Sequence, residues 1–232
     1  MIDPKDQLLD AALPHVPFDG WSPTTFRAAV ADSGVGDTVA RAVCPRGSVD
    51  LAVAYHLRGD QRMIEAMAAA DLTDMRYRDK VAKAVQTRLE VVEDKEAVRR
   101  GTTLFALPPY APDGAKLIWG TSDAIWTALG DTSDDFNWYS KRATLSGVYS
   151  ATVIFWMGDT SEGNADTWAF LDRRIDNVMQ IEKVKSAVQD NPVLGPLMAG
   201  PNWLMRQVKA PGSFSRGDFP GSWTAPKDEA QP

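Results

Sequence analysis

Ser22-Pro23-Thr24-Thr25-Phe26-Arg27-Ala28-Ala29-Val30-Ala31-Asp32-Ser33-Gly34-Val35-Gly36-Asp37 decides the fold class. Ser22 supplies a side-chain N-cap, and Pro23 stands at the first helical position, where its missing N–H costs nothing. The helix they open runs to about Asp32. Ser33-Gly34-Val35-Gly36-Asp37 then reads as a tight turn into a short third helix ending near Cys44-Pro45. Upstream, Asp3 to Pro14 forms a first helix with Leu8, Leu9, Ala12 and Leu13 on one face, turned at Asp19-Gly20-Trp21. The apolar spacing is helical throughout, so the predicted class is all-α.

Outward from this start the same period continues. A fourth helix from Ser48 carries Leu51, Val53, Ala54 and Leu57; others are predicted over Asp60 to Asp71, Asp74 to Glu93 and Lys95 to Phe105. Pro108-Pro109-Tyr110-Ala111-Pro112 breaks the pattern before a helix from Asp113 to Leu129, and Thr167 to Gln189 forms the last long one. Gly130-Asp131-Thr132-Ser133 recurs as Gly158-Asp159-Thr160-Ser161. Both copies fall where one helix ends and the next begins, so they read as stop-and-cap punctuation in preference to a phosphate or metal loop. Asn164 or Asp166 is expected to cap the last helix. The predicted divisions are residues 1–58, a helix-turn-helix-like part; 59–189, a ligand-binding and dimerising body; 190–209, an amphipathic membrane segment; and 210–232, a Pro-, Gly- and Ser-rich disordered tail.

Asp123 to Arg174 is chemically the most distinctive stretch. Trp138 and Tyr139 stand beside Asp134, Asp135, Lys141 and Arg142, where an amphipathic helix shows its wet face. Large aromatics among charges point to a protein-contact surface, because Trp, Tyr and Arg carry most binding hot spots. The bland reading packs the rings under a neighbouring helix and leaves Arg142 to anchor on Asp134 or Asp135. Downstream, Ala143 to Gly158 holds no charge, and small Ser146, Gly147, Ser150 and Ala151 leave room among its aromatics. That favours a cavity, although periodicity alone describes a filled core equally well.

The N-terminal helices resemble the DNA-binding domain of TetR-type repressors, through Leu8-Leu9-Asp10-Ala11-Ala12, Asp19-Gly20-Trp21-Ser22 and Ala31-Asp32-Ser33-Gly34-Val35. A recognition helix needs polar, basic residues at its groove face. Here it would be Asp37-Thr38-Val39-Ala40-Arg41-Ala42-Val43, opening with an acid. Up to Arg58 the acids are Asp3, Asp6, Asp10, Asp19, Asp32, Asp37 and Asp50, against Lys5, Arg27, Arg41, Arg46 and Arg58. With the whole chain at −6, phosphate neutralisation fails, and no nucleic-acid partner is expected.

The pattern Trp126, Gly130-Asp131, Asp135-Phe136-Asn137-Trp138-Tyr139, Lys141-Arg142, Leu145, Tyr149 and Thr167-Trp168 to Arg173-Arg174 resembles the Coq-nine family, lipid-binding accessory proteins of ubiquinone (coenzyme Q) biosynthesis. The resemblance covers about Pro4 to Lys185. It implies a TetR-like helical homodimer holding an isoprenoid lipid or ubiquinone intermediate, for presentation to a di-iron demethoxyubiquinone hydroxylase. It places lipid contacts on Leu104, Leu117, Ile118, Leu145, Tyr149, Thr152, Val153, Trp156 and Phe170. Partner contacts fall on Asp123, Ile125, Asp135, Trp138, Tyr139 and Arg142. Membrane contacts fall on Leu194, Leu197, Met198, Trp203, Leu204 and Met205, in a segment that Pro192, Pro196 and Pro201 interrupt. The alternative is a TetR-type transcriptional regulator sensing an apolar ligand.

The rest is exclusion. A lone Cys44 offers no disulfide framework, and two histidines, His15 and His56, supply little for metal or acid–base chemistry. Neither P-loop nor nucleophile elbow nor Glu-x-x-His occurs, so no catalytic residue, cofactor or metal is expected. The start, Met1-Ile2-Asp3-Pro4-Lys5-Asp6, shows no basic and apolar leader. The expected location is therefore a bacterial cytoplasm, peripheral to the inner membrane.

Overall fold

A computed structural model describes the backbone of residues 3–189 and the side chains of residues 3–178. Among the described residues the chain is helical and contains no strand. Helix α1 (Pro4–Ala12) is capped by Asp3, whose carboxylate accepts from the Lys5 N–H at 2.9 Å. A single turn, α2 (Val16–Asp19), leads to α3 (Pro23–Ser33). Ser22 Oγ accepts from the Thr25 N–H at 3.3 Å, fulfilling the cap read from the sequence. Helix α3 stops at Gly34, whose left-handed backbone (φ 72°) suits a residue without a β-carbon, and α4 (Asp37–Val43) follows.

Helix α5 (Ser48–Ala69) corrects the sequence reading, which divided this stretch at Asp60. Aspartate looked like a helix start there. Instead the helix continues, because the Asp60 carboxylate is committed to tertiary partners and caps nothing. Next come α6 (Tyr77–Glu90), α7 (Lys95–Phe105) and α8 (Ala111–Ala128), then α9 (Phe136–Gly158) and α10 (Ala165–Gln189). The α10 cap also differs from expectation. Asp159 Oδ2 accepts from the Thr167 N–H at 2.9 Å, and Ser161 Oγ accepts from the Asp166 N–H at 3.1 Å. The second copy of the repeated tetrad therefore does the capping. Hydrogen bonds from Thr167 and then Ser161 hold the Asp159 carboxyl well below the usual range.

The described residues divide into two compact units, residues 3–131 with 142–179, and 132–141 with 180–189. The first contains two hydrophobic clusters. One, built by α1 to α5, includes Leu8, Leu9, Val16, Trp21, Ala29, Cys44 and Leu51. The other includes Met63, Met67, Val85, Leu89, Ile125, Leu145, Tyr149, Trp156 and Leu171. Helix α7 is tied to the first cluster by Trp21 Nε1, which donates to the Ala97 carbonyl at 3.1 Å. Arg100 Nη2 adds a bond to the Pro17 carbonyl at 2.9 Å. The described part of the second unit holds the first turns of α9. There Asp135 accepts from the Asn137 N–H at 2.8 Å, and Lys141 Nζ donates to Ser133 Oγ at 2.7 Å.

Candidate functional site

Where the two clusters of the first unit face each other, α5 to α9 leave a cavity of about 400 Å³. Its wall is mostly apolar: Trp21, Ala52, Leu89, Val92, Ala97, Val98, Phe105, Leu117, Ile118, Val153 and Ile154. Small residues open the space, among them Gly59, Gly101, Gly114 and Ser150. A volume of this size lies in the range of small-ligand pockets, about 300–1,000 Å³.

At one end the wall becomes polar. Arg88, 4% exposed on α6, donates through Nε to Asp60 Oδ1 at 2.6 Å and through Nη2 to the His56 carbonyl at 2.9 Å. Thr121 on α8 donates to the same Asp60 oxygen at 2.9 Å, and His56 Nε2 meets Thr121 Oγ1 at 2.8 Å. Tyr149, 4% exposed, lies on the same stretch of wall. Burial, then the Arg88 charge, pushes His56 down to about 4, so its imidazole is neutral near pH 7. His56, Arg88 and Tyr149 all border the cavity.

Of the residues expected to touch lipid, Leu117, Ile118, Tyr149 and Val153 border this cavity together. Leu145, Thr152 and Trp156 are buried, and Phe170 stacks on Phe155 with ring centroids 4.5 Å apart. Leu104 packs on the N-terminal cluster. These five do not belong to the wall. Asp60, Arg88 and Thr121 went unnoticed as site residues and His56 was set aside, although a signal existed. Arg88 follows Val81, Ala84 and Val85 on the buried face of α6, and Asp60 precedes Met63 and Met67 at the same spacing on α5. A charge at a buried register position marks a partnered site.

The residues expected at the partner surface separate. Ile125 is 0% exposed and lies in the core, which removes it from any surface. Arg142, 2% exposed, pairs with Asp123 at 2.6 Å and Asp131 at 3.1 Å, two carboxylates that were not among its expected anchors. The first tetrad thus supplies Asp131 as a buried counter-ion. In the second unit Asp135 is exposed, while Trp138 and Tyr139 are half-buried with rings meeting edge-on at 4.8 Å. Among the described residues no group of three His, Cys, Asp or Glu side chains is poised to hold a metal ion, and no helix is long and apolar enough to cross a membrane. Leu194, Leu197, Met198, Trp203, Leu204 and Met205 lie outside the described residues.

Residues 111–182, which span α8, α9 and most of α10, match the COQ9 family model. The mitochondrial ubiquinone biosynthesis protein COQ9 of Rattus norvegicus is 31% identical over 188 residues, 76% of this chain. Its Homo sapiens counterpart is 30% identical over the same share, and that of Drosophila melanogaster 29% over 80%. The chain is a relative of the COQ9 proteins. It spans 58–59% of the length of these three relatives. The fold of this COQ9 relative is TetR-like: a TetR transcriptional regulator from Nitrosomonas europaea superposes with a TM-score of 0.62, covering 75% of this chain and 97% of that one at 20% identity.

Proposed function

We propose that this COQ9 relative acts in ubiquinone biosynthesis as an accessory protein, without catalysing a step itself. It holds an isoprenoid or quinone intermediate at a membrane surface and presents it to a partner hydroxylase. The observation that carries this reading is the cavity, which is apolar along most of its wall and closed at one end by a hydrogen-bonded polar group. Such a site suits a ligand with a long apolar body. The names of the relatives supply the pathway, and Trp138 and Tyr139 with Asp135 are the surface offered to the hydroxylase.

The regulator reading has the fold alone in its favour. Helix α4, in the position of a recognition helix, opens with Asp37, whose carboxylate pairs with Arg41 at 2.9 Å. Deleting the gene in a ubiquinone-making host tests the proposal. Ubiquinone should fall while a precursor lacking a ring hydroxyl accumulates; unchanged ubiquinone would contradict the assignment.

A further inference from the structure

Every arginine on the cavity wall is matched by a carboxylate. Arg58 pairs with Asp6 at 3.0 Å and Asp10 at 2.5 Å, Arg62 pairs with Glu93, and Arg88 pairs with Asp60 at 2.6 Å. The cavity therefore has no spare cation with which to neutralise an anionic headgroup, and burying an uncompensated charge there is costly. Its polar end is nevertheless rich in neutral and charge-assisted donors. Arg88 Nη1 meets no acceptor among the described residues, although Nε and Nη2 are both held. Beside it stand the Tyr149 hydroxyl and His56, whose Nε2 is engaged by Thr121 Oγ1 at 2.8 Å.

The geometry points to selection of a neutral, oxygen-bearing headgroup, a hydroxyl or carbonyl, that hydrogen-bonds at the Arg88–Tyr149–His56 end while its apolar body fills the remaining space. Lipids ending in phosphate or carboxylate are discriminated against. This inference rests on the lipid-cavity reading above and adds the headgroup class. The Asp60 pairing fixes the Arg88 guanidinium, so the donors are set before the ligand arrives and little ordering cost is left for binding.

Three probes with the same tail separate the possibilities: farnesol, farnesyl diphosphate and the hydrocarbon farnesene, each measured by equilibrium binding to the full chain. One or two net hydrogen bonds give farnesol an advantage of about five- to tenfold over farnesene. The diphosphate should bind more weakly than either. Tyr149→Phe should reduce the farnesol advantage and leave farnesene unchanged. In the double variant Asp60→Leu, Arg88→Met, which replaces the buried pair with apolar side chains and leaves no lone charge, farnesol and farnesene should bind alike. Equal binding of farnesol and farnesene to the native chain would overturn the headgroup assignment while leaving the cavity reading intact. So would preference for the diphosphate, or an undiminished farnesol preference in the double variant. Binding of none of the three would overturn both.

Discussion

Gly59 lies directly against Arg88: a β-carbon at Gly59 would come within 2.6 Å of the guanidinium Cζ and Nη1. The guanidinium cannot swing aside freely, since Asp60 and the His56 carbonyl hold it. A glycine inside α5 costs helix stability, roughly 0.5–1 kcal/mol relative to alanine, and here that cost makes room for a buried cation. Gly59→Ala should therefore destabilise the protein despite its better helix propensity. A rise in melting temperature would show that the guanidinium yields.

Arg88→Ala leaves Asp60 buried without its counter-charge, which typically costs about 3–5 kcal/mol. At about 2–4 °C per kcal/mol for a chain of this size, the melting temperature should fall by roughly 10 °C. The double variant Asp60→Leu, Arg88→Met should recover most of that loss. Calorimetry of the three proteins checks the sequence, and a double variant no better than Arg88→Ala would show that the pair stabilises on its own account.

His56 gives a pH signature. Asp60, Arg88 and Thr121 lie against it, and its folded-state value near 4 lies below the ordinary 6.5. Between these values the unfolded chain binds the proton and the folded chain does not. Stability should fall as pH drops from 6.5 towards 4, by at most about 1.4 kcal/mol per pH unit from this group. In His56→Gln the decline over that window should be shallower; an identical decline would place the proton elsewhere.

Most helices were legible in the sequence because their caps and apolar periods agree, as at Ser22-Pro23 and along Leu8, Leu9 and Ala12. The division at Asp60 was not, because a cap signal and a buried ion-pair partner are the same residue type, and only the facing Arg88 distinguishes them. The Asp123 and Asp131 partners of Arg142 escaped notice for a similar reason: Asp134 and Asp135 were nearer candidates in sequence. The cavity was only half legible. The charge-free run of α9 pointed to it through Tyr149, Ser150 and Val153, but Leu145, Thr152 and Trp156 on the same helix are buried away from its wall. Deciding which face of one helix meets a void requires the positions of its neighbours.

Trp138 and Arg142 should respond oppositely to truncation. On the proposed function, Trp138→Ala, in a half-buried aromatic pair, should cost about 2 kcal/mol or more of affinity for the proposed partner hydroxylase, as hot spots do, with little change in melting temperature. Arg142→Ala should lower the melting temperature, because Asp131 is then left buried. Titration calorimetry and thermal melts on both variants separate binding from folding. Normal binding by an unstable Trp138→Ala would assign that ring to the core.

Native mass spectrometry of the purified full chain tests most directly the proposed binding of an isoprenoid or quinone lipid in the cavity. The native protein should carry an adduct that organic extraction identifies as a polyprenyl or quinone species. In Ser150→Phe, whose ring projects from the cavity wall, that adduct should fall away while the helical circular dichroism is kept. A native chain that emerges at its bare mass and takes up no such lipid when supplied with it would contradict the account.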